Sequence, residues 1–154
     1  MTKKKSDSQL VSNRRASFSY EILETFETGI VLQGTEVKSL KEHHGSLQEA
    51  YIKIAGGELW LVGCTIPPYK YGNIHNHLER RERKLLMHKR EITRLKAALQ
   101  EKGLTLIPLG IYLKQGIIKV KIALGKGKKL HDKRATIKER DQARQMQRAK
   151  KEHQ

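Results

Sequence analysis

The hydrophobic pattern of the N-terminal third predicts two strands and a short helix. Over residues 17–26, apolar side chains alternate with polar ones, as in a half-buried strand. Thr28-Gly29 is a turn signal, and a second strand is expected from Ile30. A helix should follow, with Thr35 as its N-cap and Gly45 as its stop.

The middle of the chain has the pattern of a β-hairpin followed by a loop. Residues 47–54 and 58–63 are rich in apolar and aromatic side chains and flank Gly56-Gly57, a pair typical of a tight turn. The stretch 67–78 is rich in Pro, Gly, Asn and His, which predicts a loop. This part of the chain therefore adds two antiparallel strands.

The longest helix is predicted over residues 79–102. At about 100° per residue, a group of side chains shares one stripe of this helix: Leu85, His88, Ile92, Leu95 and Leu99. Gly103 follows as a C-terminal stop. Leu86 lies well off the stripe, so it is expected as an apolar residue on the polar face of the helix.

Two further strands are predicted over 104–114 and 117–124, joined through Gln115-Gly116. Pro108 interrupts the first of them, which favours an edge position or a bulge. From Gly125 onward the alternation stops. The remaining residues are highly charged with few large apolar side chains, so they cannot bury enough surface to fold alone.

These elements together predict a mainly β protein. About six short strands with two or three helices favour a small antiparallel β-barrel, and the OB type is suggested by analogy because it commonly binds oligonucleotides. The expected organisation has a basic, flexible N-terminal arm over 1–16 and the OB-like barrel with its helices over 17–125. A basic C-terminal tail over 126–154 is expected to be disordered when free and helical on a partner.

Basic residues are concentrated in three segments. The chain has 32 Lys and Arg against 16 Asp and Glu, a formal net charge of +16. Residues 1–15, 79–102 and 126–154 carry +4, +5 and +7, so they account for the whole excess on a nearly neutral body. A polyanionic partner is expected. Nucleic acid fits better than acidic lipid, because the predicted helix lacks a Trp- and Phe-rich apolar face.

Composition excludes several classes of protein. No apolar run approaches the ~18 residues that a membrane-spanning helix needs, and the basic N-terminus is not followed by the apolar segment of a secretory signal. Cys64 is the only cysteine, so no intramolecular disulfide is possible and a cytoplasmic setting is expected. Cys64 itself is expected in or near the core.

The candidate catalytic and metal-binding groups are weak. The GKGKK stretch at 125–129 lacks the spacing of a phosphate-binding loop. His75 and His77, with His43-His44 elsewhere, have no second cysteine or carboxylate at metal-ligand spacing, which favours solvated loop histidines. We therefore expect neither an enzyme nor a bound metal or cofactor.

The predicted basic helix suits RNA binding. Its Arg and Lys side chains would contact phosphates, which provides affinity without sequence information. Leu86 is either a second packing contact or an apolar contact with a base or ribose, and His88 is either a core histidine or a stacking group. The residues by themselves leave both alternatives open.

Three segments of the chain are similar, in the same order, to one bacterial family. They are NRRASFSYEILETFETGIVLQGTEVKSLKEHHGSL, RKLLMHKREI and LTLIPLGIYLKQGIIKVKIALGKGKKLHDKR. Together they resemble the small protein B (SmpB) family over residues 13–144. The resemblance implies an OB-fold barrel with associated helices and a C-terminal tail that is disordered in the free protein.

The resemblance also implies a role in trans-translation without catalysis. Members of the family bind the tRNA-like end of tmRNA, promote its aminoacylation with alanine and deliver it to ribosomes stalled on messages without a stop codon. The implied partners are tmRNA, the small-subunit decoding centre and the mRNA channel. Alanyl-tRNA synthetase and elongation factor Tu are implied indirectly, through tmRNA. A cytoplasmic monomer with no cofactor and no membrane contact is expected.

The contact residues that the resemblance implies are assigned to this chain at positions where its motifs match those of the family. The family's tmRNA contact surface corresponds to Glu27, Leu86 and His88. Arg83, Lys84, Lys89 and Arg90 of the basic segment are expected to form a basic border that binds RNA as well. The tail residues implied at the decoding centre and along the mRNA channel are Lys126, Lys128, Lys129, His131, Asp132, Lys133, Arg134, Lys138, Arg140 and Met146.

Two other functional classes stay open. A generic RNA-binding barrel or ribosome-assembly factor would also be basic, but it would tolerate scrambling of the tail residues. An electrostatic binder of membranes or polyanions would bind heparin or acidic vesicles as well as structured RNA.

Overall fold

The computed structural model describes residues 8–72, 76–101, 103–128 and Arg144. The described part contains seven strands and three helices. In chain order they are β1 (Ser8–Ser12), α1 (Ala16–Ser19), β2 (Tyr20–Ile30), α2 (Gly34–Lys41), β3 (Tyr51–Ala55), β4 (Glu58–Val62), β5 (Arg83–Leu86), α3 (Lys89–Ala98), β6 (Leu104–Lys114) and β7 (Ile117–Gly127). The predicted mainly β, antiparallel fold class is confirmed.

All seven strands belong to one sheet in the order β1-β6-β7-β2-β5-β4-β3, and every pairing is antiparallel. Alternate side chains of the strands pack into one apolar core, which α2 and α3 help to cover. Its fully buried members include Leu40, Leu59, Leu61, Leu85, Leu95, Leu106, Ile111 and Ile122. Each such side chain contributes about 1.5–3 kcal/mol through the area it removes from water.

Both predicted hairpin turns are confirmed. Gly56 and Gly57 join β3 to β4, and Gln115 and Gly116 join β6 to β7. All four residues have positive φ, between 51° and 81°, which is the backbone that a two-residue turn needs to match the twist of its strands. The bulge at Pro108 is also confirmed by a register shift, although β6 lies inside the sheet and not at its edge.

The N-terminal predictions need correction. The expected flexible arm contains β1, which pairs with β6 and buries Leu10 and Val11. Residues 16–19 are helical, and the strand begins only at Tyr20. There is no turn at Thr28-Gly29, because β2 runs on to Ile30 between β7 and β5. A ladder of hydrogen bonds on both sides outweighs the local turn preference of two residues.

The start of α2 also differs from the prediction. Its N-cap is Gln33, with extended φ and ψ, and not Thr35. The backbone N–H of Gln33 donates to Glu36 Oε1 at 2.8 Å. Thr35 does not cap the helix, and its hydroxyl lies 2.8 Å from His77 Nδ1.

The predicted helix over 79–102 is wrong in its first half. Only Lys89–Ala98 is helical in α3, whereas Arg83–Leu86 forms β5 between β2 and β4. Leu85 is 1% exposed and Leu86 is 50% exposed, because neighbouring strand residues point to opposite faces. Leu86 is therefore exposed because it lies on the outer face of a strand, and not because it lies on the polar face of a helix.

Two boundaries shift as well. The first strand of the middle hairpin begins at Tyr51, later than predicted. The last strand continues past residue 124 to Gly127, with Lys126 paired to Glu21 and Leu104. Lys126 thus belongs to the sheet and not to the tail. No helix in the described part of the chain has the length and apolarity that crossing a membrane requires.

Candidate nucleic-acid interface

The three residues expected to contact tmRNA lie together around one surface depression. It has a volume of about 520 Å³ and is formed where β2, β5 and β7 meet the beginning of α3. Its lining residues are Glu27, Gly29, Leu86, Met87, His88, Glu91 and Lys119. The sheet order thus brings together three segments that are far apart in the chain.

Leu86 lies over a glycine. Gly29 of β2 pairs directly with Leu86 of β5, and a Cβ added at Gly29 would lie 3.2 Å from the Leu86 Cβ. The absence of a side chain at position 29 therefore makes room for the exposed leucine. This arrangement gives the depression an apolar floor that RNA bases or riboses can contact.

His88 begins α3 with extended backbone angles, and its carbonyl accepts the N–H groups of Glu91 and Ile92 at 3.0 and 3.1 Å. Its side chain makes no capping hydrogen bond, and the residue is exposed. The alternative that His88 is a core histidine is therefore wrong. The imidazole is available at the surface for stacking or hydrogen bonding.

Glu27 stands on β2 opposite Lys121 of β7. The Tyr112 hydroxyl donates to Glu27 Oε2, and Lys114 Nζ donates to the same oxygen at 3.2 Å. The Tyr112 hydrogen bond is the main cause of a lowered Glu27 pKa. Burial opposes it, and Lys114 and Lys119 lower the pKa further. Glu27 is thus an ionised acceptor on a basic surface.

The expected basic border is only partly present. Lys89 and Arg90 are exposed in the first turn of α3, beside His88. Lys84 is partly exposed and pairs with Glu58 at 3.1 Å. Arg83 is 0% exposed, so its expected role as an RNA contact is wrong.

Arg83 belongs to a buried ion-pair network. Its Nε donates to Glu36 of α2, and its Nη1 donates to the carbonyls of Cys64 and Arg81 at 2.9 and 3.0 Å. Arg81 also donates to Glu36. Burial by itself would raise the pKa of Glu36, but hydrogen bonds from Arg81, the Gln33 N–H and Arg83 outweigh it and lower the pKa. The network fastens β5 to α2 and so fixes the strand that carries Leu86.

The histidine and cysteine predictions have separate outcomes. The expectation of a solvated His77 is wrong, because it is 4% exposed, with Nε2 2.7 Å from the Ile66 carbonyl and Nδ1 near the Thr35 hydroxyl. His75 lies outside the described residues. Cys64 is buried as expected, and burial raises the pKa of its thiol to about 11. Within the described ranges, no cluster of three or more His, Cys, Asp or Glu side chains is placed to hold a metal ion.

The predicted tail contacts lie mostly beyond the described part of the chain. Lys126 is exposed on β7, and Lys128 Nζ donates to the Ser17 carbonyl at 2.9 Å. The others fall outside the described residues: Lys129, His131, Asp132, Lys133, Arg134, Lys138, Arg140 and Met146.

Sequence reasoning missed four residues around Glu27 and Leu86. They are Gly29, Tyr112, Lys114 and Lys119. The alternation of β6 and β7 was a usable signal, because it places Tyr112 and Lys114 on one face with Lys119. That signal does not reveal that β2 is the next strand, so the link to Glu27 depends on the sheet order.

Comparisons with known proteins agree on one family. A family model described as SmpB protein matches residues 10–152. The SsrA-binding protein of Protochlamydia amoebophila is 67% identical over 147 residues, covering 96% of each chain. That of Chlamydia caviae is 49% identical over 148 residues, covering 96% of this chain and 99% of the relative. A solved structure described as "tmRNA-SmpB: a journey to the center of the bacterial ribosome" has 48% identity and a TM-score of 0.65, covering 77% of this chain and 84% of its own.

Proposed function

This chain belongs to the SmpB family, and from that membership we propose that it binds tmRNA and acts with it on the ribosome in trans-translation. SsrA is the tmRNA, so the names of the relatives and of the ribosome structure describe the same pair of molecules. The tRNA-like domain of tmRNA is the part we propose is bound. The purpose of the complex is to rescue ribosomes stalled on messages without a stop codon.

The observation that carries this proposal is the depression shared by Glu27, Leu86 and His88. It combines an apolar floor, an ionised acceptor and an exposed imidazole, which are groups that contact bases and riboses. The adjacent Lys89 and Arg90 are suited to phosphates, which fix orientation without reading sequence. Such a site recognises a folded RNA by shape and by a few unpaired bases.

The C-terminal segment has a separate proposed role. Residues 129–154 would enter the decoding centre and the empty mRNA channel as a basic helix, with Lys126 on β7 and Lys128 just after this strand at the base of the helix. Because this helix and a message compete for one channel, the tail would test that mRNA is absent. Truncation at Lys129 should leave tmRNA binding nearly intact and abolish tagging. Tagging that survives the truncation would refute this role.

The remaining proposals concern partners and chemistry. The family is one of RNA-binding proteins, and we propose that this chain makes and breaks no covalent bond itself. Alanyl-tRNA synthetase and elongation factor Tu would be reached through tmRNA. We also propose that the protein acts as a monomer, without cofactor, in the cytoplasm where the ribosomes are.

A competition binding assay tests the proposal. Labelled tRNA-like domain is challenged with elongator tRNA and with duplex RNA at two salt concentrations, using the wild type and a Glu27, Leu86 and His88 triple alanine variant. A matched control replaces Glu42, His44 and Leu78 with alanine, since these are exposed residues of the same types away from the depression.

The expected result is that tmRNA outcompetes both other RNAs, and that only the first triple variant loses this preference. If all three RNAs compete equally and binding follows salt alone, the protein is a nonspecific polycation. If the control triple loses the preference as well, the depression is not the recognition site.

A further inference from the structure

Glu27 joins two neighbouring depressions on the protein surface. One contains Leu86 and His88, as described above. The other has a volume of about 430 Å³ and is lined by Gln9, Thr25, Phe26, Glu27, Tyr112 and Lys121. Tyr112 and its neighbours are thus part of the same surface as the proposed tmRNA site, although they come from β6, two strands away from β2.

Tyr112 reaches Glu27 across an intervening strand. Tyr112 is paired with Lys119 of β7, and Glu27 is paired with Lys121 of the same strand. Two strand spacings separate β6 from β2, about 10 Å, which a tyrosine side chain spans only when it leans over β7. The hydroxyl donates a hydrogen bond to Glu27 Oε2, so the tyrosine side chain links β6 to β2.

The two side chains that donate hydrogen bonds to Glu27 bind the same carboxylate oxygen. Tyr112 Oη and Lys114 Nζ each donate to Oε2. Among the hydrogen bonds of the described residues, Oε1 receives none. The carboxylate is thereby held by one oxygen and presents the other as an acceptor.

An ionised carboxylate has a definite selectivity toward RNA. It repels phosphates and accepts hydrogen bonds, so its ligands on RNA are base amino and imino groups and the 2′-hydroxyl. On a protein with a net charge of +16, which attracts any phosphate backbone, such an acceptor favours a particular RNA surface over others.

We propose that Tyr112 and Lys114 are positioning residues, which hold Glu27 by Oε2 so that Oε1 accepts a base N–H or a ribose O–H of the tRNA-like domain. This inference rests on the proposed function and adds to it the residues that orient its acceptor. Tyr112 and Lys114 act through Glu27, and the RNA donor they serve is an unpaired or edge-exposed group, not a phosphate.

The charged groups around Glu27 are compatible with this role. Lys114 of β6 and Lys119 and Lys121 of β7 provide positive charge on one side, and the Tyr112 hydroxyl provides a neutral donor. From the beginning of α3, His88 and Glu91 line the same depression. The donor set therefore keeps Glu27 ionised while the depression beside it stays open.

A double-mutant cycle on the full chain tests the proposal. The variants are Tyr112→Phe, Glu27→Gln and the two combined, with the dissociation constant for the tRNA-like domain as readout and thermal melting as the check on folding. Tyr112→Phe removes only a hydroxyl, and we expect it to weaken binding about tenfold. In the Glu27→Gln background the same change should have an effect of less than about twofold.

Two further variants complete the design. Lys114→Met should weaken binding in the wild-type background and much less in the Glu27→Gln background. Tyr51→Phe is the matched control, since Tyr51 is an exposed strand tyrosine away from Glu27, and it should leave the dissociation constant unchanged.

The possible outcomes separate this inference from the proposed function. If Tyr112→Phe weakens binding equally in both backgrounds, Tyr112 acts on its own and the positioning role is refuted. If Glu27→Gln weakens binding but neither Tyr112→Phe nor Lys114→Met does, the inference fails and the proposed tmRNA site stands. If Glu27→Gln itself has no effect, both the inference and the assignment of Glu27 to that site fail.

Discussion

Two carboxylates of this protein, Glu36 and Glu27, are each held by donors from distant parts of the chain, and each has a lowered pKa. Glu36 is completely buried and faces Arg83, which is also completely buried. Glu27 is 40% exposed and is held by Tyr112 and Lys114 at the surface. The first cluster joins α2 to β5, and the second lies beside an open depression.

The two clusters differ in how far their charged groups are exposed to solvent. In the core, a charge that loses its partner stays desolvated, so the pair is expensive to break even where its net contribution to stability is small. At the surface, water replaces a lost partner, so a broken pair costs little stability. Residues of the first kind support the fold, whereas residues of the second kind can be used for binding.

The largest expected effect comes from breaking the buried pair. Arg83→Met removes the guanidinium and leaves Glu36 in the core with Arg81 and the Gln33 N–H as its partners. We expect the free energy of unfolding to fall by about 3–5 kcal/mol. Urea denaturation measures the change.

Arg94→Ala is the matched control, because Arg94 pairs with Glu24 at 2.7 Å on an exposed surface. It should lower the free energy of unfolding by less than about 1 kcal/mol. Similar losses for both variants would mean that burial does not distinguish the two kinds of pair.

The next effect contrasts two adjacent leucines of β5. Leu85→Ala creates a core cavity and should lower the free energy of unfolding by about 2–5 kcal/mol. Leu86→Ala should change it by less than about 1 kcal/mol, since half of that side chain is already exposed, and should weaken tmRNA binding instead. Urea denaturation and the binding assay, applied to both variants, check this division. A stability loss at Leu86 as large as that at Leu85 would contradict the strand assignment.

The acid dependence of stability should be smaller than the loss at Arg83, and it has a definite sign. The folded-state pKa of Glu36 lies below its ordinary value of 4.5, so folding favours the ionised form. The resulting stability is fully present above about pH 4.5 and is lost as the pH falls through the folded-state pKa.

Urea midpoints measured from pH 7 to pH 3 test this expectation in the wild type and in Glu36→Gln. The stability difference between the two proteins should shrink on acidification. A difference that stays constant across this range would mean that Glu36 is not ionised in the folded protein.

The smallest expected effect concerns the floor of the depression. Gly29→Ala adds a Cβ 3.2 Å from the Leu86 Cβ, and the exposed leucine must move slightly to accept it. We expect a change in unfolding free energy of less than about 1 kcal/mol and a loss of tmRNA affinity of about fivefold. Gly34→Ala, where the added Cβ meets nothing within 4 Å, is the control. Equal binding by both variants would show that the position of Leu86 is not critical.

The sequence predicted well the features that neighbouring residues determine, and poorly those that depend on contacts between residues distant in the chain. The hairpin turns at Gly56-Gly57 and Gln115-Gly116 were predictable, because the backbone of a tight turn is a property of its own two residues. The segment from Arg83 to Leu86 was not, because Leu85 fits the apolar stripe of a helix that continues to residue 102 as well as it fits a strand. Pairing with β2 and β4 makes this segment a strand, and a long stretch of chain separates it from each of them.

By itself, the sequence determined the mainly β class, since alternation and turn residues act locally, and the strong positive charge, which follows from composition. Only the tertiary structure decided which basic residues are exposed and which are buried in the core. Arg83 is buried because Glu36, 47 residues earlier, compensates its charge there. Glu27 is oriented because the sheet order brings Tyr112, 85 residues later, within reach of it. Both are contacts between side chains distant in the chain, and no local pattern specifies them.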